Sequence, residues 1–276
     1  MIRLIIALML VFSTQTMIYA QSLEDIIAAR SDETKQRDSH RNPQQTLEFF
    51  KISPKMSVAE ALPGGGWYTR IIAPYLGSEG QLYGINYNDD MWARFGFFDE
   101  AGIARQIALT QGFPAKVKEF SSSPPKSSGF TFETVPETLH GNLDRILFIR
   151  ALHNLNRFES EAGTMTEALT AAFNLLKDGG MVGVVQHRAP EGSPDEWADG
   201  SNGYLKQSHV INEFKKAGFK LVGSSEINAN SKDMPTPSDM VWRLPPTYFG
   251  TDGDETKVTA ANDIGESDRM TLLFRK

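Results

Sequence analysis

The sequence predicts an α/β fold: one mostly parallel sheet of seven strands with helices on both faces. Three observations predict it. Apolar runs of strand length alternate with helical patterns of ten residues or more, which implies βαβ units. A run of three glycines joins the first of these strands to the first helix. The chain of 276 residues is 40% hydrophobic and 22% charged, enough apolar material for one large core.

The elements follow in order. Arg3, the apolar run Leu4–Phe12 and Ala20 before Gln21 have the three parts of an export signal. The run is too short to span the roughly 30 Å hydrocarbon core, so a cleaved signal over 1–20 is expected rather than a membrane anchor. That expectation carries a periplasmic or secreted location and no membrane span after cleavage. Residues 21–42 form a polar arm with a short amphipathic piece, and its charge run Ser31–Arg41 reads as solvated. The domain proper covers 43–276. Pro43 opens a helix to Phe50 with Asn42 as its N-cap. Strands are expected at Met56–Leu62, Gln81–Tyr87, Ala115–Phe120, Leu143–Arg150, Met181–Gln186, Phe219–Ser225 and Met270–Arg275. Helices are expected at Trp67–Leu76, Asp90–Gln111, Glu161–Leu176 and Gln207–Ala217, with Ser121–Gly129 as a loop. Residues 229–265, rich in Asn, Asp, Pro and Thr, read as a polar surface insertion before the last strand.

Composition excludes several chemistries. With no cysteine there is no disulfide, thiolate metal site or cysteine nucleophile. A formal charge of −6 argues against sequence-independent nucleic-acid binding, which needs a basic surface. No Gly-x-Ser-x-Gly elbow and no phosphate-binding Gly-Lys-Ser/Thr loop occur. A metal site from His153, His187 and Asp144 lacks the His pair at ligand spacing on one helix, so no metal is expected.

The stretch Val58-Ala-Glu-Ala-Leu-Pro-Gly-Gly-Gly-Trp-Tyr68 is the most informative. Without Cβ atoms a backbone turns sharply and approaches a ligand closely. The helix that follows presents free N–H groups to an anionic group. The same turn also serves as a plain strand-to-helix connection with no ligand. About twenty residues on, Asn86 ends the second strand, where nucleotide folds carry a ribose-binding carboxylate; Asp89 and Asp90 follow.

These residues carry a family resemblance. Arg41-Asn-Pro-Gln-Gln-Thr-Leu-Glu-Phe-Phe50, Glu60-Ala-Leu-Pro-Gly-Gly-Gly-Trp-Tyr-Thr69, Ile72-Ala-Pro-Tyr-Leu76, Ile149-Arg-Ala-Leu-His-Asn-Leu155 and Gln186-His-Arg-Ala-Pro-Glu-Gly192 resemble the class I S-adenosylmethionine-dependent methyltransferases. More closely, they are similar to a bacterial group of predicted methyltransferases with signal peptides and a Pro-Gly-Gly-Gly-Trp-Tyr motif. The resemblance implies a Rossmann-like fold and S-adenosylmethionine as cofactor. It assigns Glu60 to the cofactor's methionyl end and Pro63, Gly64, Gly65 and Gly66 to the turn around it. It assigns Asn86 to the ribose and Asp144, in the fourth strand, to the ligand edge. Two departures stand out: Leu62 occupies the position of the family's first glycine, and Asn86 replaces Asp or Glu.

Of five histidines, only His153 and His187 directly follow expected central strands. Either is a candidate base for an O–H or N–H acceptor, or else a hydrogen-bonded organiser of a strand end. Arg150, Asn154 and Arg188 are candidate substrate ligands, the arginines through their planar forks. The expected function is methyl transfer to a small molecule; the alternative is a non-catalytic extracytoplasmic binding protein on the same fold.

Overall fold

A computed structural model describes residues 21–276. The expected export signal lies outside the described residues. The arm carries three short helices, α1 (Leu23–Ala28), α2 (Asp32–Lys35) and α3 (Asp38–Arg41), and α4 (Pro43–Phe49) opens the domain. Then come β1 (Ser57–Ala61), α5 (Thr69–Leu76), β2 (Gln81–Asn86), α6 (Met91–Arg94), α7 (Glu100–Phe120) and β3 (Lys126–Thr131). The second half holds β4 (Leu143–Ile149), α8 (Leu152–Arg157), α9 (Glu159–Ala162), α10 (Thr164–Leu175) and β5 (Leu176–Ala189). It closes with β6 (Leu205–Lys206), α11 (Gln207–Lys216), β7 (Lys220–Ser225), α12 (Glu255–Ile264) and β8 (Arg269–Arg275).

The strand order is β3-β2-β1-β4-β5-β8-β7, with the two-residue β6 beside β5. The pairings among β1 to β5 are parallel, and β8 runs antiparallel between β5 and β7. The expected seven-stranded, mostly parallel sheet is therefore present, with one short strand added. Side chains alternate between its faces. Val58, Leu82, Leu147, Val185 and Leu273 meet α1, α4, α5 and α7 on one side. Ala59, Ile85, Ile146, Phe148, Val184 and Phe274 meet α8, α10 and α11 on the other.

Four expectations change. Ala115–Phe120, expected as a strand, is the last turn and a half of α7, which continues through Pro114. Phe113 and Val117 are spaced four apart and bury together, so helical packing overrides the local alternation. The third strand instead begins at Lys126, inside the expected loop. The arm is solvated only in part: residues 31–40 are exposed or half-buried, as expected, but Leu23, Ile26 and Arg41 are buried, and α1 packs on α5. Residues 229–265 are more than a surface loop. Asp233 is buried and accepts from the Tyr204 hydroxyl at 3.0 Å and from Arg243 at 2.8 Å, while Val241 and Leu244 enter the interior. Asn42 stands at the N-cap position of α4, but its amide donates to the Ile227 carbonyl at 2.7 Å.

Helix α7 lies unusually close to the sheet because glycines face it. A Cβ on Gly129 would fall 1.7 Å from the Thr110 carbonyl oxygen, and one on Gly84 2.6 Å from the Phe113 ring. Gly129→Ala is expected to cost about 3 kcal/mol or more, because backbone must move. Gly112→Ala, on the exposed side of the same helix with open space around it, is expected to stabilise by about 0.5–1 kcal/mol. Urea unfolding of both variants checks the pair; similar effects would contradict the packing described.

Candidate functional site

The carboxyl ends of β1, β2, β4 and β5 form one edge of the sheet, where ligands bind in open α/β folds. At the end of β1, Leu62 takes φ +53°, the left-handed conformation that glycine adopts most easily. Its N–H donates to the Ile85 carbonyl at 2.8 Å. A leucine thus holds a backbone conformation that glycine adopts most easily. Gly64 and Gly66 also have positive φ, and the Gly66 N–H closes the turn on the Pro63 carbonyl at 2.8 Å. Gly66 is required by packing, since a Cβ there would meet the Phe120 ring at 2.7 Å. Gly65 faces open space. Lys116 Nζ reaches from α7 and donates to the Gly64 carbonyl at 2.7 Å.

Glu60 points to the α5 side and is 4% exposed. Thr69 Oγ1, at the start of α5, donates to Glu60 Oε2 at 2.7 Å, and the other oxygen has no hydrogen-bond partner among the described residues. Burial pushes its pKa up to about 7, against the opposing pull of Thr69 and Lys116. Asn86 is oriented differently from expectation. Its amide donates to Thr110 Oγ1 at 3.1 Å, and its Oδ1 accepts from the Tyr87 N–H at 3.0 Å. The cleft between turn and α7, lined by Pro63, Gly64, Asn86, Thr110 and Lys116, holds about 50 Å³. Ligand pockets usually hold roughly 300–1,000 Å³.

Asp144 is a correction. It sits in the second position of β4, at the amino end of the strand and across the sheet from the turn. There it accepts from the Ser57 N–H at 2.8 Å and pairs with Lys177 at 2.8 Å. A carboxylate that starts a parallel strand lies at the opposite edge from one that ends it, so Asp144 cannot reach a ligand beside Glu60.

The two expected histidines do meet, with ring centroids 5.5 Å apart. Both are buried, at 5% and 8% exposure. Gln186 donates its amide to the Gly203 carbonyl at 3.0 Å, which turns its Oε1 to His153 Nδ1 at 3.4 Å. That arrangement places the proton on Nδ1 and leaves Nε2 with a lone pair. His187 Nδ1 lies 2.5 Å from Ser267 Oγ. Burial lowers His153 to about 4 and His187 well below its ordinary value, with Arg150 adding to both. Both rings are therefore neutral at pH 7.

The substrate candidates divide. Arg150 follows β4 with φ +57°, and burial together with Arg37 and Arg269 lowers its pKa to about 10, still a cation at neutral pH. Asn154 lies beside the Tyr87 hydroxyl, which itself donates to the Ala151 carbonyl at 3.2 Å. Arg188 is a second correction: its guanidinium is taken up by Asp268 at 2.8 Å and Glu226 at 2.7 Å, so its fork is already filled.

The sequence reading missed Arg37, Arg41, Trp242, Glu266 and Arg269 at this edge. Trp242, from the 229–265 segment, lies 5.9 Å from His153 by ring centroids. Arg41 lies over Trp67 at 4.5 Å, and the Tyr68 hydroxyl donates to the Arg41 carbonyl at 3.2 Å. The signal present was charge: Arg37 and Arg41 fall four apart in the arm, on one helical face. Among the described residues no group of three His, Asp or Glu is placed to hold a metal, and no helix is long and apolar enough to cross a membrane.

No protein-family model matches the chain, and no curated protein matches it in sequence. Solved structures do resemble it. A SAM dependent methyltransferase from Aquifex aeolicus aligns at TM-score 0.51 and 16% identity, over 75% of this chain and 94% of that one. The (4+2)-cyclase SpnF aligns at TM-score 0.53 and 15% identity, over 86% and 81%. A candidate sarcosine dimethylglycine methyltransferase from Galdieria sulphuraria aligns at TM-score 0.51 and 11% identity, over 91% and 89%. These likenesses show the fold: it is the Rossmann-like fold of class I methyltransferases.

The buried titrating groups make opposed predictions. Between pH 6.5 and 4 the unfolded chain protonates histidines that the folded chain holds neutral, so stability is lost as pH falls. For His153 the full loss is about 3 kcal/mol. Glu60 acts the other way, because the folded chain keeps between pH 4.5 and 7 a proton that the unfolded chain releases. Its contribution is lost as pH rises. Urea unfolding over this range should show a shallower acid-side loss in His153→Asn. In Glu60→Gln stability should rise more steeply between pH 4.5 and 7, because the opposing contribution of Glu60 is removed. Unchanged slopes would overturn both assignments.

Proposed function

We propose that the protein transfers a methyl group from S-adenosylmethionine to a small molecule. The observation that carries this is Glu60. Its carboxyl is buried at the end of β1, held by Thr69 on one oxygen, and set beside a glycine turn with open space at Gly65. Its raised pKa marks a buried acid without a cationic partner of its own, which suits the ammonium of an amino-acid-like ligand. The fold, shared with methyltransferases of known structure, supports the same reading. The residues here fit the cofactor's methionyl end.

When bound, the cofactor supplies an electrophilic methyl group. Glu60 would hold the ammonium, and Gly64 and Gly65 leave room for close backbone approach. His153 Nε2 is the position that takes a proton from the acceptor, with the tautomer held by Gln186. His187 packs beside it and excludes water. Arg150 orients the acceptor. Room for the nucleoside requires α7 to move off the turn and release the Lys116 bond to Gly64.

A second reading, a binding protein without transfer, is favoured by the engagement of Asn86 with Thr110 and by the small cleft. The cyclase among the similar structures shows that the fold serves other ends. Calorimetry with S-adenosylmethionine and S-adenosylhomocysteine decides first. Binding is expected, weakening as pH drops below 7 and falling at least tenfold in Glu60→Gln; no heat at millimolar ligand would sink the proposal. Product formation with candidate acceptors then separates enzyme from binder. Export is part of the same proposal, and N-terminal sequencing of the extracytoplasmic fraction should begin at Gln21.

A further inference from the structure

Four guanidiniums converge where the arm crosses the carboxyl edge. Arg37 and Arg41 come from the arm, Arg150 from the end of β4 and Arg269 from the start of β8. One carboxylate, Glu266, faces them. It accepts from Arg37 Nε at 2.5 Å and from Arg269 Nη1 at 3.1 Å. Arg41 Nε lies 3.7 Å away, too far for a hydrogen bond. Four cations against one anion leave three charges over. Asp268 reaches Arg269 through its field, yet it is already paired with Arg188. Arg30 is closed by Asp38, so it neither adds to the excess nor relieves it. His153 and His187, at the same edge, are neutral, and burial keeps the Tyr68 phenol, which faces Arg41, Arg150 and Arg269, protonated.

Two of the four guanidiniums, buried Arg41 and half-buried Arg150, make no side-chain hydrogen bond among the described residues. Arg41 is 3% exposed, and its buried Nε has no hydrogen-bond partner among the described residues. Arg150 donates no side-chain hydrogen bond among them, while its backbone is fixed by a 2.7 Å bond from its N–H to the Val185 carbonyl. Burying a cation without hydrogen-bond partners beside other cations, as at Arg41, is costly. A fold keeps such a cluster where a ligand completes it. Arginine forks match carboxylate and phosphate oxygens in pairs.

We propose that this arginine cage binds a small molecule carrying at least two negative charges, as carboxylate or phosphate oxyanions. Resting on the methyl-transfer reading, we assign that molecule as the acceptor. A single carboxylate, such as the cofactor's own, would leave two charges uncompensated. The cage adjoins the histidine pair, since Arg150, Arg269 and Arg41 all act on His187. An acid held here presents its remaining groups to the edge where His153 Nε2 stands.

Thermal unfolding of the purified full chain tests this, with phosphate, succinate or citrate added at ionic strength balanced by sodium chloride. A saturable rise in Tm of several degrees is expected with dianions and not with acetate. Comparison of phosphate with the carboxylates identifies the source of the oxyanion. Arg150→Gln should weaken the effect at least tenfold and Arg150→Lys less. Lys177→Gln, at the opposite edge, should leave it intact. Because Arg150 makes no side-chain hydrogen bond here, its variants are expected to fold even where an Arg41 variant does not. A rise equal in wild type and Arg150→Gln, one that follows ionic strength alone, or one given equally by acetate would overturn the cage. Saturating S-adenosylhomocysteine separates the two readings. Dianion binding that persists beside it supports the acceptor assignment, and competition overturns it. Dianion binding without any S-adenosylhomocysteine binding would remove the methyl-transfer reading and leave the cage standing.

Discussion

Glu266, 5% exposed, lies between the arm and the last strand and takes hydrogen bonds from Arg37 and Arg269. A carboxylate so deeply buried is tolerable only because these cations hold it below its ordinary pKa. Removing either side of such a pair leaves an isolated buried charge, which typically costs about 3–5 kcal/mol. The contact joins residues more than two hundred positions apart, and much of the edge is organised around it. Arg41 lies over Trp67, Trp67 packs on Tyr68 at 4.7 Å, and Tyr68 is tied to the Arg41 carbonyl. The arm, the glycine turn and the last strand are therefore one assembly, not a domain with a tail.

The edge has two electrostatic zones. Beside α7 stands a buried acid, Glu60, whose charge is disfavoured by burial and only partly offset by Thr69 and Lys116. Over β4, β5 and β8 stand guanidiniums in excess of their counter-charges, with two neutral histidines among them. Each zone is incomplete in the sense opposite to the other. A cationic amine suits the first and an anion the second. A donor with an ammonium and an acceptor with oxyanions would be sorted to their places by charge before any shape-specific contact is made. The close seating of α7 on Gly84 and Gly129 sets a different limit. That packing stabilises the sheet and narrows the first zone, so ligand entry there competes with a helix contact.

Much of the sheet was legible because parallel strands buried on both faces read as continuous apolar runs. Leu147-Phe148-Ile149 and Met181–Gln186 are such runs, and both are strands. Glu60 was legible because it interrupts one. His153 and His187 were legible because a residue near or just past the carboxyl end of a central strand must lie at that edge. The third strand was not, since Lys126–Thr131 is polar and edge-placed, while Ala115–Phe120 alternates like a strand inside a helix. Asp144 shows a different failure. Its strand was right, but its position within the strand puts it at the amino edge.

The sequence by itself determined the layers, the direction of the central strands and the two histidines that share an edge, because these follow from local periodicity and from the rule that parallel strands end together. It also determined the glycine turn, whose shape survives even with a leucine at φ +53°. Only the tertiary structure decided which charges are spent and which are free. Arg188 is consumed by Asp268 and Glu226, while Arg41 and Arg150 are left without hydrogen-bonding partners among the described residues. Asn86 is turned to Thr110, and Trp242 arrives from a segment that reads as polar loop. The reason is that pairing of buried polar groups depends on contacts between residues far apart in the chain, and no local pattern encodes which partner reaches which.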